Sequence, residues 1–405
     1  MTTRRDLLII AGGATLLGGC RDEPRPAAAR AAPVPDVVVA ETRQQGLVVL
    51  GGPHPRVLGQ TAVTSADGRL AGALTLAGGR PGLQRLDPAT GDLGGPAPIP
   101  AGWVPRVLTP GACALTRDAA GDRPAARDRT AILVLSGTAT HEYVLSGVIE
   151  PDAFTQDATG LFVLEWFPAA APERYRVRRL DLATGALHPL LTRDKSPVPA
   201  GAEEQMRGAG RQAVPAPGGQ VLYTLYTHQP GHRHTRDLVA GRASGAHAFV
   251  HVLHLAEGWA YCLDLPEPFG AGPAAGHAVA VSADGRRLAV ADATSGSVAY
   301  AGTETLAIDR VVKVPAAAGT AGLVFTPDRQ RLLLGAGETV TTLAADGAVA
   351  ARWPVPAAVR GIGISPDASR VYVGGADEVR WLDASTGAVR GRAPVGGLTA
   401  LRHVR

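Results

Sequence analysis

Short apolar runs separated by polar turns recur along almost the whole chain, and the last third shows this pattern most clearly. Val371-Tyr372-Val373 is β-branched and aromatic, which is typical of a β-strand. Residues 379–383 alternate between apolar and polar, as expected for a strand with one buried face. Ser365-Pro366-Asp367 contains residues that favour a tight turn. With flanking extended runs at 360–364 and 388–392, the pattern predicts a small antiparallel sheet of four strands.

The same order of turn and strand occurs three times between residues 277 and 395. Asp284, Asp328 and Asp367 each occupy a turn that leads into an apolar strand, and they lie about 40 residues apart. A repeat of that length, built from short strands and turns, indicates a propeller or a solenoid. Sheets that are apolar on both faces are stabilised when they pack between neighbours in a closed ring. We therefore predict an all-β β-propeller of four-stranded blades.

The predicted number of blades is seven or eight, and we favour eight. Four further units begin near Ser65, Trp103, Thr155 and Pro217, although the unit that starts at Trp103 has a degraded turn. Three apolar runs between residues 37 and 59 lack a first strand, whereas the tail 397–405 resembles a first strand without a second. We therefore expect a composite blade from both termini to close the ring, with one C-terminal and three N-terminal strands.

The repeats resemble those of the bacterial YVTN and WD40-like repeat proteins. The resemblance is carried by the segment Asp284-Gly285-Arg286-Arg287-Leu288-Ala289-Val290, and by Pro366-Asp367 before Val371-Tyr372-Val373. It covers most of residues 36–405 and implies a secreted β-propeller. Members of this group serve as surface proteins, binding scaffolds and occasionally enzymes, so the resemblance implies a fold and not an activity.

Residues 1–20 have the pattern of an export signal. The pair Arg4-Arg5 precedes an apolar stretch that is too short for a transmembrane helix. Leu17-Gly18-Gly19-Cys20 resembles the end of a lipoprotein signal, which implies a lipid on Cys20, and the twin arginine resembles the signal for export of folded proteins. Residues 21–35 are rich in Pro, Ala and Arg, which predicts a disordered tether. We expect a propeller at 36–405, extracytoplasmic and lipid-anchored to the outer face of the cytoplasmic membrane.

Composition narrows the function classes. The net charge is only +4, and no Lys/Arg cluster with interleaved aromatic residues occurs, so nucleic acid is not an expected partner. Besides Cys20 the chain contains Cys113 and Cys262. Their positions in different predicted blades are too distant for a disulfide, so we expect two buried free thiols.

Two stretches interrupt the rhythm of strands. Residues 193–212 include Asp194, Glu203 and Glu204 and are too polar for a strand, and residues 227–247 are rich in histidine. Long loops on a regular scaffold commonly carry binding sites. Because both loops border one blade, we expect them to meet over one face, where a protein or small-molecule ligand would bind.

Six of the 11 histidines lie between His228 and His254. Imidazole is a common ligand for zinc and copper, and histidine-rich tracts can bind metal. The candidate ligands for Zn or Cu are His228, His232, His234, His247 and His251. The sequence spacing matches no closed site, and no cysteine is expected beside these residues. The alternative is a solvated loop with ordinary half-buried histidines.

Three hypotheses of function follow. The chain contains no Gly-x-Ser-x-Gly elbow, no His-Glu-x-x-His and no phosphate-binding loop. This favours a membrane-tethered, non-enzymatic binding or scaffold module. The second hypothesis is a propeller enzyme, a metal-dependent hydrolase or lactonase acting at the central opening, with Asp194, Glu203 and Glu204 as acid and base. The third is a metal-binding module that uses the histidine-rich loop 228–254.

Overall fold

The computed structural model describes residues 32–405, apart from 53–54, 78, 118–122, 209 and 244. The expected signal 1–20, with Cys20, and most of the expected tether lie outside these residues. Within the described part of the chain, four-stranded antiparallel sheets form a ring of eight blades. The all-β propeller is therefore confirmed, with eight blades rather than seven. None of the helices in the described ranges is long and apolar enough to cross a membrane.

The chain enters the ring through three strands of the closing blade, and blades 1 to 3 follow. The entering strands are β1 (Val38–Thr42), β2 (Gly46–Leu50) and β3 (Arg56–Gly59). Blade 1 contains β4 (Val63–Thr64), β5 (Ala71–Ala77), β6 (Arg80–Leu86) and β7 (Ala97–Pro98). Blade 2 contains β8 (Val104–Leu108), β9 (Ala112–Thr116), β10 (Arg129–Ser136) and β11 (Ala139–Ser146). Blade 3 contains β12 (Val148–Phe154), β13 (Gly160–Phe167), β14 (Arg174–Asp181) and β15 (Leu187–Pro189).

Blades 4 and 5 carry the helical segments. Blade 4 contains β16 (Gln212–Pro215), β17 (Val221–Tyr226), β18 (Phe249–His254) and β19 (Ala260–Asp264). Helix α1 (Thr235–Ala240) lies between β17 and β18. Blade 5 follows a 3-10 turn at Ala274–Gly276 and contains β20 (His277–Val281), β21 (Arg287–Asp292), β22 (Ser297–Gly302) and β23 (Ala307–Lys313).

The last blades correspond to the clearest sequence repeats. Blade 6 contains β24 (Ala321–Phe325), β25 (Arg331–Ala336), β26 (Thr339–Ala344) and β27 (Val349–Pro354). Blade 7 contains β28 (Gly361–Ile364), β29 (Arg370–Gly374), β30 (Glu378–Asp383) and β31 (Val389–Pro394). The final strand is β32 (Leu398–Val404).

Each blade is built in chain order from the axis outwards. The first strands of successive blades contact one another, as β20 does with β24 and β24 with β28. They therefore line the central channel, and the fourth strand of each blade lies at the rim. The ring closes where β32 pairs with β1, with Val38 opposite Val404 and Thr42 opposite Leu398. This confirms the composite blade, whose strand order is β3-β2-β1-β32.

A hydroxyl–carboxylate turn joins the first two strands of several blades. In blades 5, 6 and 7 the hydroxyls of Ser282, Thr326 and Ser365 donate to the aspartate two positions later, at 2.6, 2.5 and 2.5 Å. Such turns satisfy backbone groups locally and fix the register of the hairpin. The recurrent aspartates are therefore structural.

Apolar side chains fill the spaces between adjacent blades. The interface of blades 3 and 4 contains Phe162, Trp166, Tyr175, Tyr226 and Phe249, all buried. The hydroxyl of Tyr175 bonds that of Tyr226 at 2.7 Å, which satisfies both polar groups inside this apolar interface. Phe249 of β18 faces the same interface, and the rings of His232 and His234 pack against it.

Candidate metal centre in blade 4

The two loops that interrupt the repeat meet beside blade 4, as expected from the sequence. One loop runs from β15 to β16 and the other from β17 to β18. The side-chain amide of Gln229 accepts from the backbone N–H of Arg207 at 2.9 Å and donates to its carbonyl at 2.8 Å. The backbone N–H of Thr235 donates to Oε1 of Glu204 at 2.9 Å. These bonds hold the polar loop against the histidine-rich loop.

Four metal-ligating side chains converge where the loops meet. Glu204, His232, His234 and Cys262 each offer one ligand atom, and these atoms all lie within 4.8 Å of one another. Oε2 of Glu204 is the shared point, at 3.4 Å from Nε2 of His232 and 3.5 Å from Nδ1 of His234. The Cys262 thiol donates to the same oxygen at 2.9 Å. The four residues form the only such group found among the described residues, and we call it the metal cluster.

Phe249 positions both histidines of the metal cluster. The ring of His232 stacks on Phe249 with centroids 4.3 Å apart, and His234 meets the same ring edge-on at 5.0 Å. His234 has an extended backbone (φ −75°, ψ 158°) immediately before helix α1. The His-x-His segment is therefore extended, yet both rings lie against one aromatic side chain and face Glu204.

Hydrogen bonds outside the cluster fix which ring nitrogens face inwards. Nδ1 of His232 lies 3.2 Å from the carbonyl of Gln205. A carbonyl only accepts, so Nδ1 carries the hydrogen and Nε2 presents its lone pair to the cluster. This Nε2 is buried and has no hydrogen-bond partner within the described part of the chain. An unpaired buried nitrogen is costly, which indicates that a ligand belongs there.

Asp264 plays the corresponding role for His234. Nε2 of His234 lies 2.5 Å from Oδ1 of Asp264, and Arg236 donates to the other carboxylate oxygen at 2.5 Å. A carboxylate that holds one imidazole nitrogen while the other faces a metal is a common arrangement in metal sites. Asp264 therefore orients Nδ1 of His234 towards Glu204.

Burial and mutual contacts shift the pKa values in this cluster. Burial would raise the pKa of Glu204, but the imidazoles of His232 and His234 beside its carboxylate hold that pKa well below its usual range. Burial would lower the pKa of His234, but hydrogen bonds to Asp264 and Glu204 raise it to about 9. Burial, followed by the Glu204 carboxylate, raises the pKa of the Cys262 thiol well above its ordinary value. A cation would replace the protons that now neutralise this group.

The geometry fits a small transition-metal ion. Tetrahedral zinc has bonds of about 2.0–2.1 Å to nitrogen and about 2.3 Å to sulfur, so neighbouring ligand atoms lie roughly 3.3–3.8 Å apart. The two His–Glu separations of 3.4 and 3.5 Å agree with this. The shorter Cys262–Glu204 contact reflects the hydrogen of the thiol, which metal binding would remove. One sulfur, two nitrogens and one oxygen suit zinc first and copper second.

A cavity of about 470 Å³ adjoins the metal cluster. Glu204 and Cys262 lie on its wall, together with Leu190, Tyr261 and His251. His251 pairs with Cys262 across β18 and β19, and burial lowers its pKa to about 4. The cavity is thus a largely apolar space with two of the four candidate ligands at its edge.

The structure separates the five histidines proposed from the sequence. His232 and His234 enter the metal cluster, and His251 lies beside it without joining it. His228 and His247 are not members of the metal cluster. Their rings lie near each other instead, with centroids 6.0 Å apart. His247 donates through Nε2 to the carbonyl of Gly270 at 2.7 Å. His228 and His247 are therefore not brought to the same site as the other candidates.

Two expectations are wrong. Two of the histidines do converge with other candidate metal ligands, and a cysteine does lie beside them. Cys262 is buried and free of a disulfide, as predicted for both thiols, but its hairpin brings it to Glu204, 58 residues away in sequence. The group also lies at the rim rather than at the central opening, because Cys262 is on β19, the fourth strand of its blade.

The acidic residues also take roles other than those expected. Glu204, considered only as an acid or base, lies at the centre of the metal cluster. Glu203 instead pairs with Arg176 at 2.6 Å and Arg178 at 3.3 Å. Asp194 lines the adjoining cavity. The signal for Glu204 and Cys262 was weak, since a carboxylate in a polar loop and a lone cysteine in a strand each have common structural explanations.

Comparisons with known proteins place the fold. No family model matches the chain, and no curated protein is similar enough to match. The structure of apo AztD from Citrobacter koseri is similar at 12% identity and a TM-score of 0.53, covering 91% of this chain and 97% of that chain. A second structure of Citrobacter koseri AztD gives 13% identity and 0.52 over the same shares, 91% and 97%.

A third similar structure is the periplasmic gluconolactonase PpgL of Pseudomonas aeruginosa. Its identity is 19% and its TM-score 0.43, covering 91% of this chain and 98% of that chain. At these identities the comparisons show the fold alone. The chain is a β-propeller, and its own blade 4 defines the candidate site.

Proposed function

We propose that this protein is a non-enzymatic metal-binding propeller that holds one zinc-class ion between the loops of blade 4. The observation that carries the proposal is the convergence of Glu204, His232, His234 and Cys262 within 4.8 Å of one another. Nε2 of His232, which is buried and has no hydrogen-bond partner among the described residues, supports the same proposal. Copper is the second candidate ion, because imidazole and thiolate bind it well.

Four protein donors favour binding over catalysis. A tetrahedral zinc site filled by protein ligands is closed, whereas a catalytic zinc keeps a position for water or substrate. The ligands here come from both irregular loops and from β19, so the ion would join three segments of blade 4. Metal binding would therefore stabilise the loops in the conformation that the ring presents on one face.

The proposed location is extracytoplasmic, with a lipid anchor on Cys20. The twin arginine Arg4-Arg5 and the Leu17-Gly18-Gly19-Cys20 segment support this part of the proposal. Export of a folded protein is compatible with loading of the ion before export. Labelling with a radioactive fatty acid, compared with a Cys20→Ser variant, tests the anchor.

Metal titration tests the metal site directly. The protein is purified without a histidine tag, stripped of metal and titrated with zinc in a competition assay against a chromogenic chelator. We expect one ion per chain, and at least about a hundredfold weaker binding in His232→Ala, because a ligand is lost. The matched control is His228→Ala, which removes a nearby histidine outside the metal cluster. Equal loss in both variants, or no binding by the wild type, would contradict the proposal.

A second candidate function is metal-dependent hydrolysis. The observation that favours it is the cavity of about 470 Å³ with Glu204 and Cys262 on its wall. If the carboxylate left the ion, a bound water would face this space. Turnover of esters or lactones by zinc-loaded wild-type protein, lost in Cys262→Ala, would support the hydrolase. Zinc binding without turnover would support the non-enzymatic proposal.

A further inference from the structure

A second cavity, of about 430 Å³, opens on the face of the ring where the innermost strands begin. Gln212, the first residue of β16, lines it, and so does Ala274, which precedes β20. Glu173 and Arg123 reach it from loops that join the second and third strands of blades 3 and 2. The cavity therefore lies near the axis between blades 2 and 5, apart from the metal cluster at the rim.

Arginine dominates the charge of this cavity. Arg123, Arg207 and Arg211 line it against one carboxylate, that of Glu173. No ion pair joins Arg123 or Arg207 to any residue in the described ranges, and both are exposed to solvent. Guanidinium groups without an acidic partner that share one concave space attract oxyanions, because each presents several N–H donors in a planar fork.

The third arginine, Arg211, is held in place by an acidic side chain. Arg211 pairs with the carboxylate of Asp152, and Nε of Arg211 is buried without a hydrogen-bond partner among the described residues. The hydrogen bonds of Gln229 to the backbone of Arg207 fix the start of the same segment. Gly210 lies between them with φ +72°, and a Cβ there would meet Oγ1 of Thr227 at 1.8 Å. Contacts with neighbouring residues thus hold the backbone of Arg207, the position of Gly210 and the side chain of Arg211, which lowers the entropic cost of binding at these two arginines.

We infer that this cavity binds a small organic carboxylate or phosphate. The volume suits a metabolite-sized ligand rather than a macromolecule. Glu173 would repel a ligand that is acidic throughout, but it can accept a hydrogen bond from a hydroxyl group. The ligand class is therefore a hydroxylated organic anion, with its charged group against the arginines and a hydroxyl near Glu173. This site does not depend on the proposed metal function, since no residue of the metal cluster lines it.

Calorimetric titration of the full chain tests this inference with three probes. Tartrate represents hydroxylated carboxylates, glycerol 3-phosphate represents hydroxylated phosphates, and glycerol is the neutral comparison. We expect saturable binding of at least one anion, weakened by added salt because exposed charges are screened. Whichever anion binds identifies the class, and binding of both identifies a general oxyanion site. Glycerol should give no saturable heat.

Arginine variants provide the decisive comparison. Arg207→Gln should weaken anion binding about tenfold or more, because a charge-assisted contact is lost. Arg123→Gln provides an independent second variant should Arg207→Gln fail to fold. The matched control is Arg352→Gln on the outermost strand of blade 6, which should bind like the wild type. The inference is overturned if neither anion binds, if glycerol binds equally well, or if folded Arg207→Gln and Arg123→Gln bind like the wild type.

Discussion

Asp36 and Arg370 are 334 residues apart in the chain and form a two-point ion pair. Nε of Arg370 lies 2.7 Å from Oδ2 of Asp36, and the second contact, to Oδ1, measures 3.1 Å. The hydroxyl of buried Tyr372 donates to the same carboxylate at 2.6 Å. Asp36 lies two residues before β1 of the closing blade, and Arg370 begins β29 of blade 7. The pair therefore fastens the start of the propeller to its last complete blade.

Breaking this pair should destabilise the propeller. We expect Asp36→Asn to lower the free energy of unfolding by about 1–3 kcal/mol, because it weakens a partly buried, charge-assisted contact. The matched control is Arg402→Gln, which removes the exposed pair with Glu41, where the side chains are 53% and 41% exposed. That change should cost less than about 1 kcal/mol. Denaturant midpoints measure both, and equal effects would contradict a fastening role for Asp36.

The closing strand should make stability sensitive to acid. The ring of His403 packs against Gly68 of blade 1, and burial lowers its pKa to about 4, with Arg405 and Arg402 also opposing protonation. The unfolded chain takes up this proton near its ordinary pKa of 6.5, whereas the folded chain does so only near 4. The contribution to stability is therefore complete above pH 6.5 and is lost as the pH falls towards 4.

Unfolding curves of metal-free protein between pH 7 and pH 4 measure this effect. The loss attributable to His403 should reach up to about 3 kcal/mol, and His403→Gln should flatten the pH dependence by that amount. His188→Gln, on the exposed fourth strand of blade 3, is the control and should leave the dependence unchanged. A wild-type slope that survives in His403→Gln would show that other groups govern acid sensitivity.

The carboxylate behind His234 should tune the metal site without being a ligand. Asp264→Asn should reduce zinc affinity about 10–100-fold while one ion still binds per chain, because the orienting hydrogen bond loses its charge. Asp309→Asn, also on the outermost strand of its blade, is the matched control. Complete loss of binding in Asp264→Asn would mean that this residue contacts the ion itself, and no effect would remove its orienting role.

The two buried thiols allow a sharp comparison. Cys262→Ala should abolish tight zinc binding, whereas Cys113→Ala should preserve it, since Cys113 lies on β9 of blade 2, away from the metal cluster. Burial raises the pKa of the Cys113 thiol to about 12, and Cys113 belongs to no group of three or more candidate metal ligands among the described residues. Competition titrations with a chelator measure both variants. Similar affinities for Cys262→Ala and Cys113→Ala would exclude sulfur from the site.

Local signals in the sequence are sufficient to predict the ring of four-stranded blades. Turns such as Ser365-Pro366-Asp367 and the flanking strands act within a few residues, so their periodicity is visible in the chain itself. The unmatched runs at the two termini likewise revealed the shared blade. Even the unit after Trp103, with its degraded turn, forms a complete sheet, because pairing such as Cys113 with Leu135 is set by apolar strands rather than by the turn.

Local sequence signals indicate only two of the four residues of the metal cluster. His232 and His234 belong to one loop, so the histidine-rich pattern of the sequence indicates both. Glu204 and Cys262 come from the neighbouring loop and from β19, and a single sequence carries no record of that proximity. His228 and His247 lie in the same histidine-rich stretch, yet Nδ1 of His228 lies 2.8 Å from the hydroxyl of Thr227 and Nε2 of His247 lies 2.7 Å from the carbonyl of Gly270, outside the cluster.

X-ray absorption spectroscopy of the zinc-loaded protein tests the central claim most directly. The metal cluster predicts a first shell of one sulfur at about 2.3 Å and three nitrogen or oxygen atoms at about 2.0–2.1 Å. The sulfur should disappear in Cys262→Ala and persist in Cys113→Ala. A shell of nitrogen and oxygen alone in the wild type, or a protein that retains no zinc, would contradict the account.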